Sequence, residues 1–96
     1  MRAMELIPAI QANLRELRGR RGDALASGRR AALWRAQQHA ARLDHTLEDL
    51  RHYCLESLRT RHLDEQNEND YLRGFREGFQ TVLGEIRRIE TRGPRV

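Results

Sequence analysis

The stretch from Leu33 to Leu63 constrains most strongly what this chain can fold into. Its apolar residues recur at alternating spacings of three and four, the pattern of an α-helix with one continuous apolar seam. The seam consists of Leu33, Ala36, Ala40, Leu43, Leu47, Leu50 and Cys54. No proline or glycine interrupts the run, and at about 1.5 Å per residue such a helix spans roughly 45 Å, more than the width of a compact domain of this size. We therefore predict one long helix over about 29–63.

Two shorter helices are predicted on either side. Apolar residues at helical spacing indicate a first helix over about 7–18, which begins near Ile7 because Pro8 is tolerated only in a first turn. A connector over 19–28 follows. After the long helix, an acidic turn over 64–69 offers Asn67 or Asn69 as the N-cap of a last helix over about 70–91, and Gly93 and Pro94 provide its stop.

These elements predict a single all-α domain over 1–96, an elongated antiparallel arrangement of three helices. Each outer helix is joined by a short connector to one end of the long helix, so it covers only half of that helix. Part of the central seam would then stay uncovered in a monomer. We therefore expect a homo-oligomer whose helices associate through this seam, as in a coiled coil.

The last helix carries the sharpest apolar seam, with two glycines beside it, four residues apart. Interior glycines cost about 1 kcal/mol each relative to alanine, so this strip indicates close approach of a second helix, either within the chain or between subunits. The only tryptophan, Trp34, either closes the end of the core or anchors a partner. The candidate interface residues are Trp34, Leu72, Gly74, Phe75, Gly78, Phe79 and Val82.

All eighteen basic residues are arginine, against fourteen carboxylates, and the net charge is +4. Arginine pairs in bidentate fashion with carboxylates or phosphates, although a GC-rich coding sequence would give the same bias. The 19–28 connector is either a solvated turn or an arginine- and glycine-rich loop that wraps phosphates. The candidate polyanion-binding residues are Arg18, Arg20, Arg21, Arg29 and Arg30.

No catalytic motif is present, since no phosphate-binding loop, nucleophile with a base, or paired carboxylates can be recognised. We therefore expect no enzyme and no cofactor. His45, Asp49 and His52 share a helical face that a metal could use in principle, but solvated or ion-paired side chains are the simpler interpretation, and no metal site is predicted. The lone Cys54 lies on the apolar seam, where it behaves as a small hydrophobe.

No segment has the features of a signal peptide, and no run approaches the roughly 18 apolar residues that span a bilayer. We expect a cytoplasmic protein without membrane contact.

The segment Tyr71-Leu-Arg-Gly-Phe-Arg-Glu-Gly-Phe, followed by Val82-Leu-Gly-Glu-Ile, resembles the final helix of small all-helical proteins encoded by tailed bacteriophages. The resemblance covers about a fifth of the chain. It implies a virion-assembly component or a small protein that binds a host or defence factor, in the host cytoplasm or the virion, and it carries over no active-site residue. We expect a non-enzymatic protein-interaction or assembly protein; the alternative is a nucleic-acid-binding protein that uses the junction at 18–30.

Overall fold

The computed structural model describes residues 1–20, 22–61 and 69–92. These residues form four α-helices: α1 (Ile7–Glu16), α2 (Ala24–Ala40), α3 (Leu47–Arg61) and α4 (Asp70–Arg92). A short 3-10 helix at Ala3–Leu6 precedes α1. The all-helical fold class is confirmed, but the number of helices differs from the prediction.

The prediction of one continuous helix over 29–63 is wrong, because the chain turns between α2 and α3. A capping box begins α3: the Thr46 amide donates to Asp49 Oδ2 at 2.9 Å, and the Asp49 amide donates to Thr46 Oγ1 at 3.1 Å. The amide of Leu47 donates to the carbonyl oxygen of Met1 at 2.9 Å. Since these bonds satisfy amides that a helix start leaves free, two helices replace one.

The apolar seam survives this break, apart from Leu43. That side chain lies in the turn and is 73% exposed. The seam residues on either side are buried in one core, namely Leu33, Ala36 and Ala40 of α2 and Leu47, Leu50 and Cys54 of α3. The seam is therefore covered within one chain, and the reason for expecting association through it no longer holds.

The closest helix contact joins α2 and α4, which run in the same direction. A Cβ added at Gly74 would lie 2.8 Å from the carbonyl carbon of Leu25, and one added at Gly78 would lie 2.7 Å from the Cβ of Ala32. On the facing helix, a Cβ at Gly28 would lie 2.6 Å from the Phe75 nitrogen. The three glycines thus let the two backbones touch, and the strip on α4 packs within the chain.

The other two helices pack on this pair, α3 mainly against α4 and α1 mainly against α2. Arg51 of α3 pairs with Glu90, and the Tyr53 ring lies 5.9 Å from that of Phe79, so α3 and α4 run in opposite directions. The radius of gyration is 13.6 Å and the principal extents are 46 × 30 × 23 Å. The elongated three-helix arrangement is thus replaced by compact packing of four helices.

The connector before α2 is shorter than predicted. The carboxylate of Asp23 accepts hydrogen bonds from the amides of Leu25 (3.0 Å) and Ala26 (3.3 Å), so α2 begins at Ala24. Gly19 and Gly22 have φ of +87° and +81°, a backbone conformation that glycine adopts without strain. The predicted acidic turn over 64–69, except for its last residue, and the predicted stop after the last helix lie outside the described residues.

The start of α4 uses one of the two predicted caps. The amide of Leu72 donates to Asn69 Oδ1 at 2.9 Å. The other candidate cap, Asn67, lies outside the described residues. Of the apolar seam of α4, the residues Phe75, Phe79, Val82 and Ile86 are buried.

Candidate protein-interaction surface

Trp34 does not close the core. Its side chain is 56% exposed on the outer face of α2, although the neighbouring Leu33 is buried. A large amphipathic ring held this far into solvent on a regular helix is typical of a residue that contacts a partner.

Beside Trp34 lies a concave surface of about 220 Å³ between α2 and α3, which we call the basic groove. One arginine of α2 and one of the turn that follows give it positive charge, and one tyrosine of α3 forms its opposite side. Its lining residues are Trp34, Arg35, Gln38, His39, Arg42 and Tyr53. The Arg35 guanidinium lies 5.6 Å from the centre of the Phe75 ring, a cation–π contact that orients this side chain.

A second concave surface of about 660 Å³, the acidic groove, adjoins the first and shares His39 and Tyr53 with it. Four carboxylates line it, together with two further histidines. Its remaining lining residues are Asp44, His45, Glu48, Asp49, His52 and Glu56. One continuous face of α2 and α3 thus carries two grooves of opposite charge, separated by a shared wall.

The shared wall is held by stacked rings. The ring centroids of His39 and Tyr53 are 4.3 Å apart at 18° between planes, and those of His39 and His45 are 4.1 Å apart. On its other side, Tyr53 meets Phe79 edge to face. The wall therefore continues into the core, which fixes the relative position of the two grooves.

Two groups of this surface, His39 of the wall and Asp49 of the acidic groove, have shifted pKa values. Burial lowers the pKa of His39, and the nearby His45 and Arg42 lower it further. The hydrogen bond from the Thr46 amide holds the pKa of the Asp49 carboxyl below its usual range. Asp49 is therefore ionised at neutral pH, and His39 is a neutral ring between two charged grooves.

The predicted interface residues fall into two groups. Gly74, Phe75, Gly78, Phe79 and Val82 are buried in the contact of α4 with the rest of the chain, and Leu72 is half-buried. They do not offer a surface to a second subunit. Trp34 alone is exposed, and it lies on a different face.

The predicted polyanion-binding residues are also divided. Arg29 pairs with Glu77 of α4, with 2.5 Å between Nη2 and Oε1, and Arg30 donates to the carbonyl oxygen of Leu17 at 2.9 Å. These two guanidiniums join helices of the same chain. Arg18 and Arg20 are exposed, while the fifth residue, Arg21, lies outside the described residues.

Other chemistry has little support among residues 1–20, 22–61 and 69–92. They contain no group of three His, Cys, Asp or Glu residues able to hold a metal, so His45, Asp49 and His52 do not form a metal site. Burial raises the pKa of Cys54 to about 12, which makes its thiol unreactive. None of the described helices has the length and apolar character that crossing a bilayer requires.

Five residues of the basic groove were missed by the sequence prediction. Trp34, Gln38 and Arg42 recur every four residues, which places them on one face of a helix. This spacing could have indicated the α2 side of the groove from the sequence. The approach of Tyr53 was not predictable from a continuous helix, because it depends on the turn that folds α3 back against α2.

Comparisons of the chain with protein-family models, curated proteins and solved structures give no match.

Proposed function

We propose that this chain is a non-enzymatic protein-interaction module and that it binds its partner through the face of α2 and α3 that carries the basic and acidic grooves. The observation that carries this proposal is the exposed Trp34 at the edge of a concave surface. Tryptophan, tyrosine and arginine dominate the energetics of protein interfaces, and the basic groove contains all three.

The rigidity of this face supports the same proposal. Its rings stack from the groove into the core, so little conformational freedom is lost on binding. The sequence resemblance to small phage proteins suggests two settings, virion assembly and capture of a host or defence factor. Its motif residues Gly74 and Gly78 pack α4 against α2. The resemblance therefore concerns the helix packing and does not identify a partner.

Site-specific photo-crosslinking in the producing cell tests this function. A photoreactive amino acid at Gln38, inside the basic groove, is compared with the same amino acid at Gln80, which is exposed on α4. We expect a discrete adduct from position 38, which disappears when Trp34 is also changed to alanine. Equal adduct patterns from positions 38 and 80 would contradict the proposal.

We propose nucleic-acid binding as a second function, because Arg18 and Arg20 are exposed at the α1–α2 connection. If these two side chains contact phosphates of a single strand, log K should fall with log salt with a slope of about −1.4. Fluorescence anisotropy with a labelled single strand measures this slope, and R18A/R20A should abolish it. Binding that is unchanged in this double variant would contradict the assignment.

A further inference from the structure

From the charge pattern of the two grooves we infer that the partner of this face is a second copy of the same chain, bound across a twofold axis near the His39–Tyr53 wall. This inference rests on the function proposed above and names the partner. It replaces the association through an uncovered seam, since that seam is buried within the chain.

The two grooves carry opposite charges. Arg35 and Arg42 line the basic groove, and neither makes an ion pair or side-chain hydrogen bond within the described residues. Some other guanidiniums pair with carboxylates inside the chain, such as Arg29 with Glu77 and Arg51 with Glu90. The basic groove therefore presents two positive charges for an external carboxylate.

The acidic groove supplies such carboxylates. Asp44, Glu48, Asp49 and Glu56 line it. Glu48 pairs with Arg51 and Glu56 with Arg59, whereas Asp44 and Asp49 make no ion pair within the described part of the chain, so the groove keeps a net negative charge. The two grooves lie on either side of the His39–Tyr53 wall. A twofold axis that runs along this wall therefore exchanges their positions. A second copy placed by this rotation sets each basic groove against an acidic groove, which gives a closed, self-complementary dimer.

Other partners fit this face less well. An acidic peptide in the basic groove would lie beside the four carboxylates of the neighbouring groove, and a nucleic acid would meet the same repulsion along its backbone. A second copy is the partner whose own charges alternate with the same spacing. Trp34 at the outer edge would then pack against the partner's α3, which accounts for its exposure in one chain.

Charge reversal tests the inference in the purified full chain by sedimentation velocity. One variant reverses the basic groove (R35E/R42E) and the other reverses the acidic groove (D44R/E48R). Each alone should lose dimerisation, with the dissociation constant raised at least about tenfold, because like charges then face each other in both halves of the interface. Mixing the two variants should restore a dimer, since both pairs of grooves again carry opposite charges.

Circular dichroism checks first that each variant keeps its helix content. If a double variant does not fold, R42E and D44R replace it, and R87E on the exposed face of α4 is the matched control that should still dimerise. The inference would be overturned if either reversed variant associated with itself as strongly as the native chain does. It would also be overturned if the mixture of the two variants stayed monomeric. A native chain that is monomeric at every concentration would also overturn it. In that case, a photo-crosslinked adduct from position 38 whose mass differs from that of a dimer would still support the proposed interaction function.

Discussion

At the scale of single residues, the glycines of α4 show how one hydrogen atom in place of a methyl group determines a helix contact. A Cβ at Gly74 would collide with the backbone of Leu25, which cannot move without separating α2 from α4. Gly84 has no neighbouring atom within 4 Å of such a Cβ and lies on the exposed face. Gly74 is therefore required for the contact between α2 and α4, whereas Gly84 is not required for any helix contact.

G74A and G84A make a matched pair. We expect G74A to lower the free energy of unfolding by at least about 2 kcal/mol because the helices must move apart. G84A should raise it by about 0.5–1 kcal/mol because alanine favours the helix. Urea denaturation measures both; equal effects of the two substitutions would contradict the close contact.

Cys54 reports on the core. Because its thiol is buried and burial raises its pKa to about 12, we expect a neutral-pH thiol reagent to label it only when the chain unfolds. The labelling rate should rise with urea in proportion to the unfolded population. Rapid labelling of the native chain would show that α3 does not pack as described.

His39 makes stability depend on pH. Its folded-state pKa is lowered by burial and by His45 and Arg42, opposed by Asp49, and its buried Nε2 has no hydrogen-bond partner within the described residues. As pH falls through the unfolded value of about 6.5, the unfolded chain takes up the proton first, so stability decreases toward the folded-state pKa. H39Q should remove part of this decrease, and the exposed His52 provides the control H52Q. A decrease of the same size in H39Q would contradict the assignment.

At the scale of elements, the helical positions on both sides of the turn between α2 and α3 were predictable from the sequence, but the turn itself was not predicted. Spacing alone identified six buried residues of the two helices, since Leu47 and Leu50 fall in register with Ala36 and Ala40, but it missed Ala26 and Ala32 of α2. It could not reveal the break, because the turn preserves that register and only Leu43 leaves the core. The available signal was the Thr-x-x-Asp capping box at Thr46.

The capping box itself is testable. T46A removes the hydroxyl that accepts the Asp49 amide, and we expect it to lower the free energy of unfolding by about 1 kcal/mol. The control is T91A, near the other end of the described chain, whose hydroxyl donates only to the exposed carbonyl oxygen of Arg88. Thermal denaturation followed by circular dichroism measures the difference. A T46A variant as stable as T91A would contradict a capping role.

The candidate site was harder to predict than the helices. Glycine spacing correctly indicated a close helix contact in α4, but the sequence could not tell whether the second helix came from the same chain. The answer depends on Gly28 and Ala32 of α2. Gly28 was predicted to lie in the connector, and it faces α4 because α2 begins at Ala24, directly after the Asp23 cap. The grooves, likewise, depend on how α3 folds back, which local spacing does not specify.

At the scale of the whole molecule, the four helices cover their apolar seams within one chain, and the exposed charged face is left for association. Contacts of this kind are weakened by salt, since the Debye length falls from roughly 14 Å to 4 Å between about 50 mM and 500 mM salt. Association through apolar seams would be insensitive to the same change or strengthened by it.

The most direct measurement is therefore the solution mass by light scattering at low and high salt. We predict a mass of twice 11.3 kDa at low salt, which falls toward 11.3 kDa at high salt as the grooves are screened. A multimer that persists unchanged at high salt would contradict burial of the seams within one chain. A mass of 11.3 kDa under both conditions would contradict association through the charged face of α2 and α3.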